Sequence, residues 1–384
     1  MNDTIDVEGI RRTEFAWMNE GETIYMNAAS TGPLPERSIV AQNDFTRKRG
    51  APHLVGFDAQ FGALARCREL VAGMIGATSD EIALAINTGA GINLAAWGLP
   101  LGAGDGVVVS DLEFPANRYP WMAAAEARGF DLHVVATREG IIDEDALVAA
   151  LDRPGVKLLT VSWVGFSTGA LVDLERLGNA CRERGIWFVV DGIQGLGALT
   201  IDMQRLPVDM FACGAQKWLL APWGTGFTYV RREMIALVTP QPVSWMGVRD
   251  SDDFSRLVDY DMTWRDSARR FEQVTLPYQD FTGLASSLEF LRETGFAAVS
   301  QHIVSSTAAL LSGARDLGIA PVTSMSRHAG IASVRPPDAV AASARLEAAG
   351  VIHSLREGTI RLAPHCYTNA DDIQRTLHAL SFGA

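Results

Sequence analysis

Lysine is nearly missing from this chain. Only Lys48, Lys157 and Lys217 stand against thirty arginines in 384 residues. Most of that ratio is of the kind that base composition produces, so it gives no single position a role. Cysteine is also scarce: Cys67, Cys181, Cys213 and Cys366 lack CxxC spacing and exclude a disulfide framework, so a reducing cytoplasm is expected. The net charge is -12 and the one basic cluster is the short Arg47-Lys48-Arg49, which argues against nucleic acid as a partner. No uncharged apolar run is long enough to span a bilayer, so no membrane association is expected. The acidic N-terminus has no apolar segment of the signal-peptide kind. His328, His353 and His365 show no ligand spacing to one another or to cysteines, so no metal site is expected. Internal repeats and low-complexity segments are missing too.

What is present is alternation. Near-continuous apolar runs at 82–86, 106–110, 131–135, 157–163, 186–190, 210–213 and 226–230 read as strands buried on both faces. Helical stretches fall between them at 91–99, 117–128, 143–151 and 173–184, with Asp143 and Asp173 as N-caps. This predicts an α/β fold with a mainly parallel sheet covered by helices on both faces. A large domain is placed at 23–255 and a smaller α+β domain at 256–384, with residues 1–22 packing on the latter. The small domain is expected to hold helices at 278–294 and 297–317, strands at 330–334 and 359–362, and a closing helix from about Asn369.

Lys217 sits among small and apolar residues in the stretch from Asp209 to Gly226. A lysine desolvated by such neighbours has a lowered pKa and can act as an amine nucleophile toward an aldehyde. Upstream, the 186–190 run ends in Asp191, with Gln194 close behind. Beyond a strand's carboxyl end, Asp191 reads either as a helix N-cap or as the partner of a pyridine nitrogen, with Gln194 on the ring hydroxyl. The turn Asn87-Thr-Gly-Ala-Gly-Ile-Asn93 opens a helix after a strand and suits a phosphate, although such turns are common. Phe114 follows another strand and serves either as a ring to stack on a cofactor or as core. Arg361, between Ile360 and Leu362, is either paired structurally or placed for an anion such as a carboxylate. Gly165-Phe-Ser-Thr-Gly169 matches the hydrolase pattern around a nucleophilic Ser167, but Ala170-Leu-Val172 intervene before the N-cap Asp173, where that pattern needs an immediate helix.

Taken in order, these segments resemble the class V aminotransferase family of pyridoxal 5'-phosphate (PLP) enzymes, which includes isopenicillin N epimerase-like proteins, kynureninase and the cysteine desulfurases. The resemblance runs from Ile24–Ser30 through Thr88, Phe166–Gly169, Val189–Gly197, Gly214–Leu220 and Arg270–Thr275 to Arg361–Tyr367. It implies the fold-type I (aspartate aminotransferase-like) architecture. It also implies that Lys217 bonds the cofactor aldehyde and later moves protons at the substrate Cα. Asp191 and Gln194 then contact the ring, Gly89 and Ala90 hold the phosphate through backbone N–H groups, Phe114 stacks on the ring, and Arg361 clamps the substrate carboxylate. Thr275 matches the position that reaches the phosphate of a neighbouring subunit, implying a homodimer with shared active sites. Gln216 stands where many relatives have His; it can donate to the phosphate but cannot titrate. Between Gly350 and Arg361 the chain is too short for the cysteine-bearing desulfurase loop and contains no Cys. The expected activity is therefore a class V aminotransferase or an isopenicillin N epimerase-like reaction on an amino acid. A lyase or kynureninase-like hydrolase is the alternative, and a serine hydrolase through Ser167 a remote one. Side-chain selectivity is assigned to Trp163, Phe166, His353 and Arg356, with Trp245 and Tyr278 from the loop region.

Overall fold

The computed structural model describes residues 5–138 and 140–381; the first four residues of the 1–22 segment and the last three of the small domain lie outside them. A seven-stranded sheet dominates: β1 (Ile82–Ala85), β2 (Gly106–Ser110), β3 (Asp131–Val135), β4 (Val156–Ser162), β5 (Trp187–Asp191), β6 (Met210–Gly214) and β7 (Gly226–Val230). Their order is β1-β7-β6-β5-β4-β2-β3. All neighbours are parallel except β7, which runs against both β1 and β6. β2, β6 and β7 are buried along their whole length, as helix-covered strands must be.

The parallel strands end on one side of the sheet, and register fixes what meets there. Ser162 of β4 lies beside Asp191 of β5, which lies beside Ala212 of β6. The helix Thr88–Gly98 opens on the same side, capped by Asn87, whose Oδ1 accepts from Ala90 N–H at 2.9 Å. Gly91 lets this helix press onto the sheet: a Cβ there would lie 2.3 Å from Thr228 Oγ1 and 2.7 Å from the Ala212 Cβ.

A second, antiparallel sheet follows, in the order β10-β11-β9-β8, from β8 (Ala320–Pro321), β9 (Ala332–Arg335), β10 (Ser354–Arg356) and β11 (Thr359–Leu362). Its core joins Val334, Ile360 and Leu362 to Leu310 and Leu311, and also to Ile24 and Met26 from the start of the chain. Ile24–Tyr25 pairs in parallel with Val351–Ile352. Among the described residues no helix is long and apolar enough to cross a membrane.

Two helices, Glu36–Arg49 and Phe57–Ile75, stand where the sequence pattern gives no helix. The first buries only Ser38 and Phe45, so its apolar stripe is too thin to read.

Candidate active site

Lys217 lies in the connection from β6 to β7, which folds back on itself through Ala215 N–H to Thr225 O at 2.9 Å and Ala221 N–H to Ala215 O at 3.1 Å. The chain's first segment grips it. Gly32 N–H donates to Gln216 O at 2.8 Å, and a Cβ on Gly32 would fall 2.1 Å from Lys217 O. From the segment after β11, His365 Nε2 donates to Trp218 O at 3.0 Å while its Nδ1 accepts Cys366 N–H at 2.7 Å. That pattern requires a neutral imidazole, and complete burial supplies one by pushing the His365 pKa down to about 4.

Burial lowers the Lys217 pKa to about 8; Asp191 opposes the shift, while Arg361 and Arg356 add to it. Asp191 is 2% exposed, and burial raises its pKa to about 6 against the Ile193 N–H that it accepts at 3.0 Å and the nearby Lys217. Amine and carboxylate therefore share one desolvated space at the end of β5. Lys217 Nζ also lies 5.8 Å from the centre of the Phe114 ring, which packs edge-on against Phe166 at 5.2 Å.

Arg361 is 2% exposed and has no carboxylate partner among the described residues. Its Nη1 donates to Phe166 O at 2.6 Å, its Nη2 donates to Ser30 Oγ at 2.7 Å, and its Nε is unpaired. Burial lowers its pKa to about 10, with Arg356 adding repulsion. A buried cation held only by neutral acceptors is costly until an anion arrives.

Gln194 lies within this constellation with both ends engaged. It donates to Ala29 O at 3.0 Å and accepts from Trp218 Nε1 at 3.0 Å, leaving one amide N–H. Ala90 N–H is taken by Asn87, whereas Gly89 N–H is among the first-turn donors that a helix leaves unpaired. Gln216 Oε1 is buried without a partner. A Cβ on Gly214 would sit 2.6 Å from it, 3.1 Å from Ile193 Cδ1 and 3.3 Å from Thr88 Oγ1, so the helix start, Gln216 and the Asp191 turn converge. Thr275 is exposed, on the stretch before the helix Tyr278–Thr294.

Four features have no sequence signal. Glu113 is buried, accepting Ser162 Oγ at 2.5 Å, Ser162 N–H at 3.0 Å and Asn117 Nδ2 at 2.8 Å; burial raises its pKa to about 7. Ser30, Ser354 and the Phe166 carbonyl frame Arg361. Two residues assigned to selectivity point elsewhere. His353 bonds Ser343 Oγ at 2.8 Å and Val351 O at 2.9 Å, toward the helix Ala339–Ala348. Trp163 is buried against Phe211 and lines a separate cavity of about 530 Å³ with Leu171, Leu199 and Arg327. Ser167 lies in the turn between the bridged Val164 and Leu171, and the next helix starts only at Leu174.

The residues present fit PLP: an amine beside a carboxylate, an aromatic ring alongside, and a helix start that converges with the Gln216 amide, whose N–H groups can donate to a phosphate. A family model for aminotransferase class-V matches residues 24–348. The isopenicillin N epimerase of Amycolatopsis lactamdurans is 29% identical over 410 aligned residues, covering 95% of this chain and 98% of that protein. A probable cysteine desulfurase of Methanothermobacter thermautotrophicus is 32% identical over 287 residues, covering 73% of this chain and 69% of its own. In structure, a C-DES mutant with glycine covalently linked to its PLP cofactor superposes with a TM-score of 0.89 at 22% identity, covering 97% of this chain and 99% of that one. An apo cysteine desulfurase from Thermococcus onnurineus gives 0.86 at 22%, covering 98% and 97%.

Proposed function

From the premise that this chain belongs to the class-V aminotransferase family of PLP-dependent enzymes, we propose that it moves a proton at the Cα of an amino acid, in an aminotransferase or isopenicillin N epimerase-like reaction. The observation that carries this reading is the joint burial of Lys217 and Asp191 beside an Arg361 that has no carboxylate of its own. Bound PLP supplies an electron-withdrawing pyridine ring that stabilises negative charge at Cα.

Lys217 would hold the cofactor aldehyde and then, as a free amine, take and return the Cα proton. Its lowered pKa leaves a useful fraction of the amine unprotonated near neutrality. Asp191 would hold the ring nitrogen, Gln194 the ring hydroxyl through its remaining N–H, and Phe114 one ring face. Gly89 and Gln216 would take the phosphate, with Ala90 doing so only by giving up its bond to Asn87. Arg361 would orient the substrate by a bidentate grip on its carboxylate.

Desulfurase chemistry through a protein thiol is disfavoured by the four cysteines, all of them buried. Burial pushes Cys67 and Cys181 up to about 12 and raises Cys213 and Cys366 as well. β10 and β11 are joined by the tight turn Glu357-Gly358, which leaves no room there for a cysteine-bearing loop. The free thiols also fit a reducing cytoplasm.

The test is an absorbance spectrum of purified protein before and after borohydride, for wild type and Lys217→Ala. Wild type is expected to show a cofactor band near the visible that borohydride abolishes, and the variant to lack it. A colourless wild type sinks the reading. An amino-acid panel scored for keto acid, ammonia, sulfide and loss of optical rotation then separates transamination and epimerisation from elimination.

A further inference from the structure

We infer that the substrate is an amino acid with a second, distal carboxylate, and that Arg356 receives it. The inference rests on the reading of Arg361 given above. β10 and β11 pair with Ser354 opposite Arg361 and Arg356 opposite Thr359. Directly opposed residues, and residues two apart on one strand, project from the same face of a sheet. Ser354, Arg356, Thr359 and Arg361 therefore share a face. That face is turned to the site: Ser354 Oγ donates to Asn27 Oδ1 at 2.9 Å and lies 3.1 Å from Ser30 Oγ and 3.5 Å from Arg361 Nη2. The alternation is internally consistent, since His353 points the other way, to Ser343.

Arg356 thus stands beyond Arg361 on the same face, at a diagonal position where backbones are about 7–8 Å apart. Its charge is felt at both Lys217 and Arg361. Among the described residues neither guanidinium has a carboxylate within ion-pair distance. Arg361 is buried and Arg356 exposed, so they have separate surroundings and separate reach. One carboxylate satisfies the fork of Arg361 and leaves the charge of Arg356 unanswered. Two cations repelling each other on one face of a binding site favour a ligand with two separated negative groups, and a dicarboxylic amino acid has that form.

The test is binding rather than turnover. Holoenzyme is titrated with glutarate, adipate and butyrate while cofactor absorbance is followed. Glutarate or adipate is expected to bind roughly 10- to 100-fold more tightly than butyrate, the range of one charge-assisted hydrogen-bonded contact. Arg356→Met and Arg356→Gln should bring that ratio close to one, and Arg356→Lys should keep part of it, since a point charge replaces a fork. Equal affinities in wild type, or a preference that survives Arg356→Met and Arg356→Gln, overturn the inference. Cofactor absorbance in each variant reports that the fold is intact. A wild type with no cofactor band fails the reading of the site itself, whereas a coloured protein indifferent to the second carboxylate fails this inference alone.

Discussion

At Lys217 the opposing influences can be ranked, and the ranking sets a pH dependence. Burial is the largest and disfavours the ammonium; Asp191 favours it, and Arg361 and Arg356 disfavour it further. The sum places the amine near 8 rather than 10.5, so below about pH 8 the nucleophilic free amine is the minority form and above it the majority. Uptake of PLP by apo-protein should therefore accelerate with pH around a midpoint of about 8, read by stopped-flow absorbance. Asp191→Asn removes the carboxylate that stabilises the ammonium and should move the midpoint down; Arg361→Met removes a repelling cation and should move it up. A wild-type midpoint at 10 or above would show that the amine is not desolvated in this way. Glu113 carries a lesson at the same scale. Its side chain ties the end of β4 to Asn117 just beyond Phe114, yet an acid between Leu112 and Phe114 has no spacing that marks it in the sequence. The burial of Lys217 and Asp191 was legible because apolar runs surround them; the placing of Glu113 and Ser30 was not, because their partners come from strands and segments far along the chain.

Elements defined by local chemistry were legible for the same kind of reason. Asp143 and Asp173 each cap a helix by accepting the N–H three residues on, a bond that depends on sequence neighbours alone. The antiparallel sense of β7 was not legible, since a strand buried on both faces has the same composition whichever way it runs. Nor was the anchoring of the chain's start. The helix Val7–Glu14 sends Arg11 to Asp372 in the helix Ala370–Leu380, 361 residues away, at 2.8 Å, with both side chains nearly buried. Arg11 also donates to Met18 O and Asn19 Oδ1, so the guanidinium is well satisfied. Removing one partner of such a pair leaves the other charge buried and costs about 3–5 kcal/mol, whereas replacing both by apolar groups is often neutral. Arg11→Met should thus lower the thermal midpoint by several degrees, and Arg11→Met combined with Asp372→Leu should recover most of the loss. If the double variant is as unstable as the single one, the pair's worth lies in its links to Met18 and Asn19 and in the Asn369 N–H that Asp372 accepts at 3.0 Å, rather than in charge compensation.

At the scale of the whole molecule, several large apolar side chains are exposed on segments that adjoin the site. Trp223, six residues after Lys217, is 72% exposed; Ile86, just before the helix that opens at Thr88, is 45% exposed, and Val243 and Trp245 are 58% and 47%. Ser244 Oγ accepts Val274 N–H at 3.2 Å, which fixes this apolar stretch beside the exposed Thr275. Large apolar side chains exposed near a site are unfavourable in water and favour burial against a partner surface. We propose that the partner is a second copy, brought against this rim so that Thr275 reaches the phosphate end of the neighbouring site. Light scattering at micromolar concentration should then give twice the chain mass of 41.4 kDa. Trp223→Glu combined with Val243→Glu should shift the protein to monomer and weaken PLP retention together, because the site loses a contact it receives from outside. Thr275→Ala should leave the mass unchanged while raising the PLP dissociation constant by roughly tenfold, the cost of one hydrogen bond to a charged group. A wild-type protein that scatters as a single chain with PLP fully bound would show that each site is complete in itself, and the role of Thr275 would fall with the dimer.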